Sequence, residues 1–447
     1  MADHSTKHPM LSTRVKGLVG ECTVPGDKSI SHRALMLGSQ MVGTTQITGL
    51  LEGEDVKNTA KALQALGVAI TRHSEGRWEV QGVGTGALQA PQDVLDMGNS
   101  GTGVRLLMGL LATQPFRTIL TGDASLRKRP MQRVITPLEG MGASFEVTGE
   151  GRLPLTVVGT KDPLPMTYTL PVASAQVKSA ILLAGLNTPG ETTVIEPVAT
   201  RDHTERMLRY LGATIQTRET PAGMAITLKG PVEGTARDLD VPADPSSAAF
   251  LIVAALITPG SDLLIRNICM NPCRIGLFTT LQEMGAVLTY ENEREACGEP
   301  VADIRVRSSA LKGVEVPAVR AASMIDEYPV LAVAAACASG TTRMLGLEEL
   351  KVKECNRLSA IAEGLKVCGV AVEEGEDWLQ VEGQSLDNIG GGSVVTHYDH
   401  RIAMAFLVLG MAAGKPVTVD DTTAIATSFP GFVALMNQLG GAITDHG

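Results

Sequence analysis

With 447 residues, 44% of them hydrophobic and 19% charged, the chain is too long for one compact core and too apolar for a disordered one. Aromatics make up only 3% and the formal net charge is −10, so a base-stacking nucleic-acid surface and binding to an anionic polymer or membrane are both disfavoured. Seven cysteines, an odd and scattered set (22, 269, 273, 297, 337, 355, 368), point to free thiols in a reducing compartment.

The start, Met1-Ala2-Asp3-His4-Ser5, has no apolar targeting core, and the first dozen residues are expected to be unstructured. The longest apolar runs, such as 248–257, reach about ten residues against the roughly 20 that a membrane span needs. A soluble, cytoplasmic protein with no nucleic-acid or membrane partner is expected. Further along, one signature recurs: a helix-like stretch ends in Gly and an apolar alternation follows. It stands at Ala65-Leu66-Gly67-Val68, Gly140-Met141-Gly142-Ala143, Tyr210-Leu211-Gly212-Ala213, Glu283-Met284-Gly285-Ala286, Val367-Cys368-Gly369-Val370 and Gln438-Leu439-Gly440-Gly441. These glycines are 75, 70, 73, 84 and 71 residues apart. A glycine suits the left-handed residue that closes a helix, and the alternation after it suits a strand.

A second landmark keeps the same period. Lys28-Ser29, Asn99-Ser100-Gly101-Thr102, Ser174-Ala175-Gln176, Asp244-Pro245-Ser246-Ser247, Asp326-Glu327 and Asp399-His400-Arg401 each open an Ala/Leu/Val-rich segment. Segments such as 248–257 and 331–338 are apolar all round and predict buried helices. Segments such as 55–66 and 204–211 are amphipathic and predict outer ones. The pattern is six copies of one α/β unit, grouped three and three with a crossover near residues 239–243. An insert around 291–314 would explain the longest step. A buried helix must satisfy its first N–H groups and carries partial positive charge there, so six such ends could converge on an anion. Taken singly, each Ser, Thr or Asp opening reads as a plain N-cap, and Asp244-Pro245 as a cap followed by Pro at the first helical position.

The cations beside these openings need more explanation in a chain of net charge −10. Lys28, His32 and Arg33 lie within six residues; Arg105 follows the second opening; Arg127, Lys128, Arg129 and Arg133 surround Pro130; Lys351, Lys353 and Arg357 bracket Glu354. A solvated face accounts for Arg127 and Lys128 but not for Arg401, because residues 402–410 after it are wholly apolar. Guanidinium forks prefer carboxylate and phosphate, so small multiply charged anions are the expected ligands. Asp326, Glu327 and Glu354 stand among these cations as structural ion pairs or as general acid and base. There is no Gly-x-x-x-x-Gly-Lys-Ser/Thr loop and no Gly-x-Ser-x-Gly elbow, and the spacing of His and Cys predicts no metal site.

Pro25-Gly26-Asp27-Lys28-Ser29-Ile30-Ser31-His32-Arg33, Gly98-Asn99-Ser100-Gly101-Thr102, Arg129-Pro130, Ser174-Ala175-Gln176, Ile325-Asp326-Glu327, Lys353-Glu354-Cys355-Asn356-Arg357-Leu358 and Asp399-His400-Arg401 occur in this order. Together they resemble the EPSP synthase family, in its class II bacterial branch, from residue 11 to the C-terminus. The resemblance implies a two-domain inside-out α/β barrel with six βαβαββ repeats, three per domain, and buried helices. It implies a discontinuous first domain (1–22 and 244–447) joined by the N-terminal strand, a second domain (23–243), and an active site in the cleft between them that closes on substrate. The implied reaction transfers the enolpyruvyl group of phosphoenolpyruvate to the 5-hydroxyl of shikimate 3-phosphate, a step of the shikimate pathway to chorismate and aromatic amino acids. No cofactor and no metal are implied, and a monomer is expected.

By the same resemblance Asp326 is the base at the 5-hydroxyl, Glu354 the proton donor to the methylene and Lys28 a bridge between the substrates, with the division among these three left open. Arg129, Arg357 and Arg401 would clamp phosphoenolpyruvate with the Gly101 backbone and Gln176, which also reaches shikimate 3-phosphate. Ser29 and Arg33 would take the shikimate carboxylate. Ser174, the Ala175 backbone and Arg201 would hold the 3-phosphate, with Lys353 on the same side. The sequence departs from the other branch at Ala175, where a second Ser is usual, and at Thr427, where a Lys is common. Gly101 lacks the methyl group associated with tolerance of glyphosate, so inhibition by glyphosate is expected. The enolpyruvyl transferase acting on UDP-N-acetylglucosamine shares the fold but uses a loop Cys; the Lys-Glu-x-x-Arg setting of Cys355 favours the shikimate reaction. A reading from another class is a non-catalytic repeat scaffold for anionic partners.

Overall fold

Each of the six repeat glycines, Gly67, Gly142, Gly212, Gly285, Gly369 and Gly440, has a positive φ, between 80° and 108°. Each therefore closes a helix in the conformation that favours glycine. The structure is a computed structural model describing residues 7–149 and 151–446. Its helices are α1 (Lys28–Gln40), α2 (Glu54–Ala65), α3 (Gly101–Ala112), α4 (Gln132–Gly140), α5 (Ala175–Gly185), α6 (His203–Tyr210), α7 (Pro245–Ile257), α8 (Gly276–Glu283), α9 (Tyr328–Ala336), α10 (Arg357–Val367), α11 (His400–Ala412) and α12 (Phe432–Gln438).

The odd-numbered helices are the buried ones. Every residue of α7 and α9 is buried, and in α11 every residue except Arg401. A fully buried Leu, Ile, Val or Phe contributes about 1.5–3 kcal/mol, so a helix apolar on all sides is stable only at the centre of a layer structure. Four of the six openings cap their helices: Ser100 accepts from the Gly103 N–H, Ser174 from Val177, Asp244 from Ser246, and Asp399 from Arg401 and Ile402; at α1 the cap is Asp27, ahead of Lys28-Ser29, and Glu327 at α9 makes no side-chain cap bond. The even-numbered helices bury one face only, as α2 does with Val56, Thr59, Ala60 and Leu63.

The chain forms two compact units: one is the chain up to Pro25 with Ala243–Arg294 and Pro300 onward, the other Gly26–Pro242 with Glu295–Glu299. Each unit has three four-stranded sheets outside three buried helices, an inside-out α/β arrangement. In the first unit α7, α9 and α11 pack against one another. In the second, α3 packs on α5 so closely that a Cβ at Gly109 would lie 2.3 Å from the Ala180 carbonyl oxygen.

A short strand ahead of a buried helix lies parallel to the strand behind it at α3, α5, α9 and α11. The remaining two repeats exchange this strand. Val19–Thr23, ahead of α1, pairs with Asp262–Cys269 behind α7, while Leu239–Asp240, ahead of α7, pairs with Val42–Thr48 behind α1. The exchange makes the first unit discontinuous in sequence.

Two expectations need correction. Of the first dozen residues, 1–6 lie outside the described residues, but Met10–Ser12 is a strand paired antiparallel with both Val417–Val419 and Ile443–Asp445, and Ser12 is fully buried. Partners more than 400 positions away order a segment that local pattern leaves blank. The long fourth step is also not a separate insert. Its residues extend the hairpin strands Val287–Ala296 and Glu299–Arg307, and the short 3₁₀ turn Ala318–Ser323 precedes α9.

At Gly212 an added Cβ would meet no atom within 4 Å, so only the backbone conformation at φ +89° resists substitution. Gly212→Ala is expected to lower the unfolding free energy by about 1 kcal/mol in a urea titration. An unchanged midpoint would contradict the helix-closing role.

Candidate active site

In the unit built on α1, α3 and α5, the chemistry gathers at the helix N-termini. Lys28 begins α1 and its Nζ lies 2.5 Å from Oδ2 of Asp55 on α2. One turn on, Arg33 is only 3% exposed: Nε donates to Thr204 Oγ1 (2.7 Å), Nη2 to Ser179 Oγ (2.7 Å) and Nη1 to the Ser29 carbonyl (2.9 Å). Burial lowers the Arg33 pKa to about 10, and nearby Arg201 pushes it in the same direction, yet it stays charged at neutral pH. Ser29 and Arg201 are half-buried.

Gln176, in the first turn of α5, accepts from Arg105 Nη1 (2.8 Å) and donates to Thr102 Oγ1 (2.9 Å), tying the start of α5 to the start of α3. Ser174 and Ala175 stand at that same start. Arg129 donates through Nη2 to Asn99 Oδ1 (2.7 Å), and Asn99 donates to Asp123 (2.7 Å). A Cβ at Gly101 would sit 2.8 Å from Nη1 of Arg129 and 3.3 Å from Nη1 of Arg105. Gly101 thus lets two guanidinium groups lie against the backbone at the start of α3. Arg127 and Lys128 are exposed, as a solvated face requires.

His32 does not belong with these cations. It is fully buried, its Nδ1 is 2.8 Å from Thr59 Oγ1 and its Nε2 3.5 Å from Ser100 Oγ, and burial pushes its pKa down to about 3. It is a neutral hydrogen-bonding side chain that steadies the cap of α3. Sequence reasoning also missed Asp55, Thr204 and Ser179, and the buried Lys178, whose Nζ lies 2.9 Å from Glu196 and 2.6 Å from Glu205. The signal for Lys178 was present: a single charge inside the apolar run 177–184.

In the unit built on α7, α9 and α11, Arg357 is 1% exposed and engages three carboxylates. Nε donates to Asp399 Oδ2 (2.8 Å), Nη1 to Asp326 Oδ1 (3.1 Å) and Nη2 to Glu354 Oε2 (2.5 Å). Burial alone would lower its pKa, but the three carboxylates raise it above the ordinary range. Lys353 Nζ is 3.5 Å from Asp326 Oδ1. Arg401 Nη1 donates to the Asp326 carbonyl (3.2 Å) and lies 3.6 Å from Glu327 Oε1, with the side chain 12% exposed. Asp244 exceeds a cap, since it also accepts from buried Arg274 (3.0 Å). Thr427 bonds back to the Ala424 carbonyl (2.7 Å). Burial, then Asp399, pushes the Cys355 thiol well up, which disfavours its thiolate.

The geometry therefore brings Lys28, Ser29, Arg33, Arg201, Gly101, Arg129, Ser174, Ala175 and Gln176 together in one unit, and Asp326, Lys353, Glu354, Arg357 and Arg401 in the other. Both sets combine helix N-termini with fixed cations, an arrangement for holding phosphate and carboxylate groups. The second set adds carboxylates able to move protons. Among the described residues no group of three or more His, Cys, Asp or Glu could hold a metal ion, and no helix is long and apolar enough to cross a membrane.

The profile of the family described as EPSP synthase (3-phosphoshikimate 1-carboxyvinyltransferase) matches residues 12–436. The chain is 61% identical over 437 residues to the 3-phosphoshikimate 1-carboxyvinyltransferase of Paramagnetospirillum magneticum, with 98% of each chain covered. To that of Rhodospirillum rubrum it is 60% identical, again over 98% of each. Among solved structures it resembles an EPSP synthase from Acinetobacter baumannii with a TM-score of 0.90 and 45% identity, over 99% of this chain and 100% of that one. It shares its fold with the enolpyruvyl transferase NikO from Streptomyces tendae at a TM-score of 0.79 and 18% identity, over 99% of both chains.

The neutral state of His32 has a pH signature. In the unfolded chain its imidazole titrates near 6.5, in the folded one near 3, so the unfolded chain binds the extra proton between these values and stability falls as pH falls from about 6.5 to about 3. In His32→Asn that loss should shrink by up to about 1.4 kcal/mol per pH unit between pH 6 and 4.5, read by urea unfolding. Parallel curves for the two proteins would show His32 to be charged.

Proposed function

Since the chain belongs to the EPSP synthase family, we propose that the two sets of residues act on one pair of substrates. The chain transfers the enolpyruvyl group of phosphoenolpyruvate to the 5-hydroxyl of shikimate 3-phosphate and releases phosphate. The observation that carries the assignment of the site is the buried Arg357 with Asp326 and Glu354 on neighbouring guanidinium nitrogens.

The two substrates carry two phosphates and two carboxylates, and binding them to a chain of net charge −10 needs local cations. Ser174, the Ala175 N–H, Gln176 and Arg201 take the 3-phosphate at the start of α5, with Lys353 on the same substrate. Ser29 and Arg33 take the shikimate carboxylate, Arg33 being held beside Ser29 by its hydrogen bond to the Ser29 carbonyl. Arg129 and Gln176, against the Gly101 backbone, hold the phosphate of phosphoenolpyruvate, Arg357 and Arg401 its carboxylate, and Lys28 lies between the substrates.

The chemistry then follows from charge. A carboxylate of phosphoenolpyruvate that takes Nη2 of Arg357 from Glu354 removes the cation that keeps Glu354 ionised and brings a like charge beside it. Both effects favour its protonated form, which makes it a proton donor. Glu354 protonates the methylene carbon as the 5-hydroxyl attacks C2 and passes its proton to Asp326. The resulting tetrahedral adduct expels phosphate as Glu354 takes a proton back from the new methyl group. The cations stabilise charge that builds on the phosphate. No step calls on a cofactor. The seven free thiols suit a reducing cytoplasm, where the enzyme is proposed to act as a monomer.

Phosphate release from phosphoenolpyruvate is expected only when shikimate 3-phosphate is present. Asp326→Ala should lower kcat by at least about 10²-fold, the ordinary worth of a general base, while calorimetric binding of shikimate 3-phosphate persists. Phosphate release without the co-substrate, or turnover retained in Asp326→Ala, would overturn the assignment. Glyphosate is expected to inhibit, in competition with phosphoenolpyruvate. Gly101→Ala, by pressing on Arg129, should raise both the glyphosate inhibition constant and the KM for phosphoenolpyruvate. Full activity of the unaltered enzyme at millimolar glyphosate would contradict this.

A further inference from the structure

Arg274 lies in the turn between the strand Asp262–Cys269 and α8 and is 3% exposed. Its Nη2 donates to Asp244 Oδ1 (3.0 Å) and to Ser246 Oγ (2.8 Å), both at the start of α7. Arginine has donors only, so Ser246 Oγ must accept from it and turn its own proton elsewhere. That proton goes to Oε1 of Glu327, at the start of α9. The same Oε1 lies 3.6 Å from Nη1 of Arg401, at the start of α11, and that nitrogen also holds the Asp326 carbonyl. Asp244, Ser246 and Glu327 are each at most 6% exposed, so water does not screen the chain of contacts.

We propose that Arg274 and Ser246 are positioning residues for the transfer reaction. They form a one-directional hydrogen-bond relay, Arg274 to Ser246 to Glu327, which fixes Glu327 and through it the orientation in which Arg401 meets the carboxylate of phosphoenolpyruvate. The proposal rests on the assignment of Arg401 to phosphoenolpyruvate made above. It differs from a merely structural reading, in which Arg274 only neutralises the buried Asp244, because Ser246→Ala breaks the relay and leaves the Arg274–Asp244 pair in place.

The test is steady-state kinetics of Ser246→Ala, Arg274→Met, Arg401→Lys and the double variant Ser246→Ala/Arg401→Lys. Ser246→Ala should raise the KM for phosphoenolpyruvate about fivefold, the worth of one ordinary hydrogen bond, with the KM for shikimate 3-phosphate and kcat changed less than about twofold. Arg274→Met should move the same constant further. In the Arg401→Lys background, Ser246→Ala should add no further rise, because the relay then has no correctly shaped end to orient. If Arg274→Met does not fold, Ser246→Ala and the double variant decide alone. Unchanged constants in folded Ser246→Ala, equal rises in both KM values, or additive effects in the double variant would overturn the relay. An Arg401→Lys variant whose KM for phosphoenolpyruvate is unchanged would instead remove the underlying assignment of Arg401, and the relay with it.

Discussion

A guanidinium that is 1% exposed is tolerated only if anions replace the water it has lost. Arg357 meets that demand with Asp399, Asp326 and Glu354, and these three come from the starts of α11 and α9 and the turn ahead of α10. Removing the arginine would leave Asp399, fully buried, without this counter-charge, a change that costs about 3–5 kcal/mol in comparable buried pairs. The same cluster holds the carboxylates of Asp326 and Glu354, the proposed base and proton donor, on neighbouring nitrogens of one guanidinium. It also keeps the Glu354 carboxylate on a cation that a substrate anion can claim.

Repetition makes the rest possible. Six largely buried helices, α7 and α9 buried at every residue, are covered by sheets wrapped around them, and burying them leaves the N-terminal amide groups as polar ends that need a partner. Caps satisfy some of these, as Ser100, Ser174, Asp244 and Asp399 do. The remainder, with the cations set beside them, are the proposed anion sites in a chain whose net charge is −10. The exchange of the strands Val19–Thr23 and Leu239–Asp240 links the two sets of repeats in one chain while each unit keeps complete four-stranded sheets.

The sequence disclosed what is periodic or locally anomalous. The six helix-closing glycines, the apolar helices and the capping residues recur at one spacing, and Arg401 stood out because the residues after it are wholly apolar. What depends on distant partners was hidden. His32 reads as a cation beside Lys28 until Thr59 and Ser100, 27 and 68 positions away, are seen to enclose it. Arg274 lies in an unremarked turn and gains meaning only from Asp244 and Ser246. Met10–Ser12 is too short to show alternation, and its partners lie at the other end of the chain. The roles of individual residues in the reaction came from resemblance, since spacing alone identifies an anion site but not which anion.

The most direct measurement is a crystal structure of the chain with shikimate 3-phosphate and phosphoenolpyruvate, trapped in the Asp326→Asn variant. Residue 326 should lie within about 2.6–3.2 Å of the 5-hydroxyl, Ser174 and Gln176 should hold the 3-phosphate, and Glu354 should have left Arg357 for the methylene carbon. Substrates held by one set of residues alone, with Glu354 still on Arg357, would contradict a shared site and the proton transfer derived from it.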